Sequence, residues 1–383
     1  MILPDVIVIG AGFAGAAAAR KLAEAGRQVL ILEQRNHAAG NCYDEKDAHG
    51  VLIHTYGPHI FHTSDKEVYE FLSRFTTFTS YHHEVKGNIH GKLVPLLFNL
   101  NSLVIVFGPE KGRALGEKLT AAFGYGSRVP IMKLRESGDP EIREVADYVY
   151  ENVFLHYTMK QWGLSPEQID PQVTGRVPVV ISREDGYFTD PYQGMPADGY
   201  TALFRQMLSH PLISLVTGCR AQERLKLSDG KFFLDGAEFG GDVIYTGPVD
   251  ELFDNCFGAL PYRSLRFSFE YYEMESYQDA PVVNYTVDQA FTRISEFKKL
   301  TGQKVHGTTI AKEYPCAFEP GTDLIPYYAI LNPANQALYE RYRALAGQYR
   351  GLHLLGRLAE YKYYNMDAIT GAALRLASEM GRT

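Results

Sequence analysis

Val6-Ile-Val-Ile-Gly10-Ala-Gly12-Phe13-Ala14-Gly15, running on through an alanine-rich stretch to Ala25, is the segment whose reading decides the fold. Four β-branched residues in a row suit a strand buried on both faces, as parallel strands are. The alanines after the turn suit a helix. Gly10 permits the tight turn, Gly12 lets a diphosphate approach the backbone, and Gly15 lets helix and sheet pack closely. The diphosphate then faces the helix's positive end. A second strand, Gln28-Val-Leu-Ile-Leu-Glu33, closes on an acid eighteen positions beyond Gly15. Glu33 is thereby placed to accept hydrogen bonds from an adenosine ribose, and its charge favours an unphosphorylated 2′-hydroxyl. Phe13, Ala14 and Gln34 flank these positions and complete the first cofactor-binding set. FAD and NAD both satisfy the pattern at this point.

The rest of the chain bounds what surrounds this unit. At 383 residues, 45% hydrophobic and 22% charged, it reads as a soluble globular protein of two or three domains. Thirty-eight basic against 45 acidic side chains leave a formal charge of −7, which argues against nucleic acid or an anionic membrane surface as the main partner. Cys42, Cys219, Cys256 and Cys316 lie far apart with no CxxC spacing, so neither a zinc site nor a disulfide framework is signalled. A cytoplasmic location fits best. The apolar opening has no basic residue before it and is broken by Asp5 and the glycines, so it reads as strand, turn and helix and not as a signal peptide. No membrane insertion is expected.

The first nucleotide-binding layer is expected to run to about Phe78 and then be interrupted. Glu110 to Phe123 and Glu141 to Tyr157 read as helices separated by Gly124-Tyr-Gly126 and Gly138-Asp-Pro140. Arg263 to Tyr272 and Val282 to Val287 are aromatic or β-branched and alternate, as antiparallel strands require. Asp242-Val-Ile-Tyr-Thr-Gly247 and Leu352-His-Leu-Leu-Gly356-Arg357 are apolar strands ending at glycine, which return the chain to the parallel sheet. A late strand ending in glycine plus a polar residue, feeding a helix that begins after Asn365, is the order found in flavoproteins of this architecture, so FAD is favoured over NAD as the tight cofactor. With a single GxGxxG, NADPH or NADH would act only as a transient reductant. His54, His59 and His62 lack an acid at ligand spacing, so no metal is expected.

Further motifs occur in order along the chain: Gln34-Arg35-Asn36-His37-Ala38-Ala39-Gly40-Asn41, His54-Thr-Tyr-Gly57-Pro58-His59-Ile60-Phe-His62, Tyr157-Thr-Met-Lys160-Gln161-Trp162-Gly163, Arg176-Val-Pro-Val, Tyr187-Phe-Thr-Asp190-Pro-Tyr192-Gln193-Gly194, Arg293-Ile-Ser-Glu296, Pro326-Tyr327-Tyr328 and Gly356-Arg357-Leu. Together they strongly resemble the UDP-galactopyranose mutase family. The resemblance implies an α/β fold: a Rossmann-like FAD-binding domain (1–78, 196–255 and 330–383), an inserted helical subdomain (101–160) and an antiparallel β-sheet substrate subdomain (79–100, 161–195 and 256–329). It implies that Gly40, Asn41, His59, Ile60, Gly356, Arg357, Asn365 and Met366 join the FAD site. It further implies that Arg176 and Arg293 grip the substrate diphosphate as guanidinium forks, and that Arg357 and His59 complete the catalytic group. Tyr157 would stack on uracil with Phe154 and Trp162 beside it; Tyr187, Tyr327 and Tyr363 would donate to phosphate oxygens, and Asn365 would touch the sugar. Arg176, near Asp185-Gly186 and the Pro178 to Arg183 strand, would ride on a mobile lid. A homodimer or higher homo-oligomer is also implied.

No motif supplies a side-chain nucleophile, since there is no GxSxG and no cysteine beside a histidine. The resemblance implies that the cofactor does this work: N5 of reduced flavin attacks the anomeric carbon as UDP leaves, the sugar ring opens, and the 4-hydroxyl recloses it as a furanose. The competing readings are a net oxidoreductase of the amine-oxidase or desaturase type and a non-catalytic nucleotide-sugar-binding protein. Two departures from the family stand out. Ala39 replaces the first of a glycine pair, a mild change if its φ is negative. Asn365 stands where the family carries aspartate.

Overall fold

The computed structural model describes residues 3–163, 165 and 178–381. Val6–Ile9 is the central strand of a five-stranded parallel sheet, flanked by Val29–Leu32 and then Ile213–Val216 on one side, and by Asp242–Tyr245 and then Leu352–Leu354 on the other. Alternation divides the central strand between two cores. Val6 and Val8 pack with Ala16 to Ala19 of the first helix, Phe13–Glu24, and with the closing helix, Met366–Met380. Ile7 and Ile9 pack on the other face against Leu225, Phe232 and Leu234 of a three-stranded meander. Four small side chains in succession let the first helix lie close to the sheet and to the closing helix, and all four are 0% exposed. Gly15 is obligatory for the same reason: a Cβ there would lie 2.0 Å from the Gly10 carbonyl oxygen.

The helical insertion holds Leu100–Phe107, Pro109–Phe123, Ile131–Arg135 and Pro140–Val149. Asn99 caps the first of these through a reciprocal box with Ser102, and Asp139 caps the last. The helix expected over 141–157 is not one continuous α-helix. Tyr150–Leu155 forms a wide π turn that resets the helical register before His156–Trp162.

The second large sheet has seven strands in the order Tyr328–Ala329, Tyr262–Tyr272, Thr308–Ala317, Arg293–Glu296, Val282–Tyr285, Val85–Ile89, Lys92–Leu96. It is antiparallel, as expected, at every pairing but one. Val282–Tyr285 runs parallel to Val85–Ile89 because the 85–96 hairpin enters the sheet from an earlier part of the chain. Among the described residues of 161–195, Pro178–Val180 pairs with Arg128–Pro130, and Tyr192–Pro196 lies between Phe61–Thr63 and Phe78–Ser80. Among the described residues, no helix is long and apolar enough to cross a membrane.

Ala39 corrects the sequence reading. Its φ is +76°, because its amide donates to the Ala11 carbonyl while the next residue, Gly40, closes onto Gly12. An L side chain in this left-handed conformation costs about 1–2 kcal/mol, partly offset by the greater unfolded-state freedom of glycine. Ala39→Gly is therefore expected to stabilise the protein by up to about 1 kcal/mol in urea unfolding. A lowered denaturation midpoint would contradict this account of the turn.

Candidate active site

Both helices begin at the carboxyl edge of the parallel sheet, and Gly356 joins them. Its φ is +111°, and a Cβ there would lie 3.5 Å from Ala14 Cβ and 3.9 Å from Ile369 Cδ1, so the starts of the first and closing helices meet across it. Gly12 and Asn365 precede those helices without a side-chain cap, leaving the first amides open. Gly10, at φ +98°, would place a Cβ 2.2 Å from Thr246 Oγ1, which ties the turn to the neighbouring strand end. Glu33 is 5% exposed. Its Oε2 accepts from Ala11 N at 2.8 Å and its Oε1 from Arg35 N at 2.9 Å, which fixes its aim and leaves lone pairs for further donors.

Arg35 was not assigned from sequence. Its guanidinium lies 4.3 Å from the Tyr56 ring and donates from Nη2 to Asn41 Oδ1 at 2.9 Å, while Nη1 is buried with no hydrogen-bond partner among the described residues. A buried donor without an acceptor is costly, and an anionic ligand would supply one. Two open helix starts, a fixed ribose acid and an orphaned guanidinium donor together fit a dinucleotide. The Phe13 ring packs 4.8 Å from Phe204 inside the core. Gln34 is exposed, and Met366 lies with its sulfur 3.6 Å from Cys42 Sγ.

Beside this cradle, the His59 ring contacts the Gly57 carbonyl at 2.8 Å and its amide donates to His54 Nδ1 at 3.0 Å. Burial pushes the His59 ring down to about 3, with His54, Arg357 and Arg293 adding to the effect. Two arginines distant in sequence thus act on one histidine. Ile60 follows, half-buried. A Cβ on Gly57 would lie 2.8 Å from Phe267 Cζ, so this segment presses against the seven-stranded sheet.

On that sheet, Arg293 Nε lies 2.9 Å from Glu313 Oε2, but the N–H is not directed at the oxygen, making an ion pair without a hydrogen bond. Burial alone would lower Arg293; the Glu313 carboxylate, itself 2% exposed, holds it above its usual value. Tyr157 and Tyr328 lie within the same field. Arg357 lies 4.8 Å from the Tyr363 ring and 5.5 Å from that of Tyr328, and donates to the carbonyls of Tyr327 and Tyr364 at 3.3 and 2.6 Å. Trp162, Tyr328 and Tyr363 form a row with successive centroids 6.3 and 6.4 Å apart. Tyr187 meets His83 edge to face at 5.8 Å, and His83 is pushed down to about 3 by burial and by Arg293. Tyr327 is 4% exposed and Phe154 2%, the latter inside the helical core. Asn365 is exposed. Arg176 lies outside the described residues.

Sequence reasoning missed Arg35, His83, Glu313 and Tyr328. Arg35 follows the ribose acid by two residues and Tyr328 stands in a quoted motif, so both carried a signal. Glu313 and His83 carried none, because Glu313 meets Arg293 only through strand pairing and His83 comes under the same arginine only in the folded chain. Among the described residues no group of three His, Cys, Asp or Glu side chains could hold a metal.

Known proteins share both halves of this arrangement. The NAD(P)-binding Rossmann-like domain family matches residues 8–75, and the UDP-galactopyranose mutase family matches residues 152–363. A UDP-galactopyranose mutase of Mycoplasma pneumoniae is 35% identical over 98% of this chain and 96% of its own. A dTDP-fucopyranose mutase of Escherichia coli is 34% identical over 97% of each. The crystal structure of a reduced UDP-galactopyranose mutase covers 99% of this chain and 94% of its own at a TM-score of 0.71 and 15% identity, a match of fold. Fold and relatives define a sugar-nucleotide mutase, an isomerase built on a flavoenzyme fold. The chain belongs to the UDP-galactopyranose mutase family.

The buried histidines give a pH prediction. His54 is 1% exposed and held down to about 4 by burial, against about 6.5 when unfolded. The unfolded chain therefore takes up the proton first, and stability falls as pH drops from about 6.5 toward about 4. His54→Asn should lose about 2 kcal/mol less stability than the parent between pH 7 and pH 5 in urea unfolding. Equal losses in the two proteins would refute the assignment.

Proposed function

We propose that the protein interconverts the pyranose and furanose forms of UDP-galactose with a reduced FAD held at the glycine cradle. The observation that carries this reading is the convergence of Arg293 and Arg357 on one aromatic-lined site beside a dinucleotide cradle. A sugar nucleotide brings a diphosphate, an aromatic base and a polyol, and the site offers guanidinium, ring and hydroxyl groups for each. In this reading Gly10, Gly12, Gly15, Gly40, Gly356 and the two helix starts take the cofactor diphosphate, Glu33 and Arg35 the adenosine side, and His59 and Ile60 the flavin ring. When bound and reduced, the flavin supplies an electron-rich N5 as nucleophile toward the anomeric carbon, with no net redox change. NADPH or NADH serves as the transient reductant.

Arg293 holds the departing diphosphate, with Arg176 as the second fork. Glu313 pairs with the half-buried Arg293 and offsets part of its desolvation, and Tyr187, Tyr327 and Tyr363 serve the phosphate oxygens. Tyr157 takes the uracil ring, with Phe154 behind it and Trp162 beside it. Cys42 offers no competing nucleophile, since its thiol is buried and pushed far above the usual thiol range. Dithionite-reduced protein should convert UDP-galactopyranose over many turnovers while oxidised protein is inert. Arg293→Ala should retain its flavin and lose at least about tenfold in kcat/KM, the loss expected of one charge-assisted fork. Activity in the oxidised protein, or near-normal kinetics without Arg293, would remove the proposal.

The dTDP-fucopyranose mutase relative favours a second substrate reading, and Asn365, which departs from the family's aspartate, is the position chosen to test it. An amide donates as well as accepts, whereas the family's aspartate only accepts when ionised. Asn365→Asp is expected to raise the ratio of activity on UDP-galactose to activity on dTDP-fucose, read by chromatography of both substrates. An unchanged ratio would make the position neutral.

A further inference from the structure

Arg263 carries a charge that the proposed reaction does not use. Among the described residues it has no carboxylate partner, and burial depresses its guanidinium below the usual arginine value. Its donors go to the end of one short helix: Nε to the Gln161 carbonyl at 3.0 Å and Nη2 to the Lys160 carbonyl at 3.4 Å. The helix His156–Trp162 carries Tyr157 and Trp162 and stops at Gly163, which adopts a left-handed conformation with φ +64°. A Cβ at Gly163 would lie 3.1 Å from Arg263 Nη1, so the guanidinium lies directly against the helix terminus. The final carbonyls of a helix lack intrahelical donors and bear its negative end, which is where an uncompensated cation is stabilised. From the helix's own side, Lys160 Nζ donates to the carbonyls of Tyr285 and Gln289.

The backbone of Arg263 performs a second task. It pairs with Tyr328, and its carbonyl accepts from Tyr327 N at 2.9 Å. One residue therefore joins the segment bearing Tyr327 and Tyr328 to the helix bearing Tyr157 and Trp162, and the Trp162 and Tyr328 ring centroids lie 6.3 Å apart. We propose that Arg263 is a positioning residue which, by capping the His156–Trp162 helix with a two-pronged guanidinium, fixes the distance between the two aromatic walls of the nucleotide-sugar site. The proposal rests on the reading that Trp162 lines that site. Lysine cannot replace the arginine in full, because a single ammonium has no rigid fork to span two successive carbonyls.

Trp162 is the only tryptophan in the chain, so its fluorescence reports on the helix end without labelling. The test compares the parent flavoprotein with Arg263→Met, which keeps an apolar stem, and with Arg263→Lys. In Arg263→Met the emission should move to longer wavelength with lower anisotropy, UDP should bind about tenfold more weakly, and KM should rise more than kcat falls, while flavin content stays at the parent value. Arg263→Lys should lie between the two. Parent-like emission and UDP affinity in Arg263→Met would overturn the proposal. Should that variant fail to fold, Arg263→Lys decides: intermediate readings support the clamp and parent readings overturn it. An emission change in proteins that do not bind UDP at all would leave the clamp standing and remove the nucleotide assignment instead.

Discussion

The close approach of the two helix starts across Gly356 is the constraint on which the rest of the molecule depends. It requires a strand that turns at Gly10 without a side chain, a helix that can lie against the sheet at Gly15, and a second helix begun by an uncapped Asn365. The two uncapped helix starts leave backbone amides unpaired, which is unfavourable in an isolated protein and favourable when an anionic ligand accepts them. The Nη1 of Arg35, buried without a partner among the described residues, adds to the same demand.

Once the cradle is fixed, the seven-stranded sheet has to bring its chemistry to the cradle's open side. The Gly57-Pro58-His59 segment does this by pressing on Phe267, since glycine at φ +95° permits an approach that any Cβ would block. Arg293 and Arg357 then act together on His59, and Glu313 offsets the cost of burying one of those charges. Arg35, Arg293 and Arg357 thus bring positive charge to one region of a chain whose net charge is −7.

Sequence reading reached this architecture unevenly. The nucleotide fold, Glu33 and the return strands Asp242–Tyr245 and Leu352–Leu354 were legible, because spacing and residue type are sufficient to define them. The sheet was anticipated but its parallel pairing was not, since nothing local in Val282–Tyr285 records which strand lies beside it. Phe13 matched a cofactor position by motif, yet packing turned its ring toward Phe204. Ala39 was misjudged for a comparable reason: its φ is imposed by the Ala11 carbonyl, a partner far along the chain.

By itself, the sequence determined the strand, turn and helix of a Rossmann-like fold, the acid that closes its second strand, and the set of arginines and aromatics that its motifs contain. Those features are local, and backbone sterics and side-chain chemistry decide them within a few residues. Only the tertiary structure decided which groups meet. Glu313 reaches Arg293 because their strands are in register, Arg357 lies over Tyr363 because the loop after Gly356 folds back, and Arg263 caps a helix a hundred residues earlier because its strand passes that helix's end. Such pairings depend on long-range register and close packing, which no window of the sequence contains.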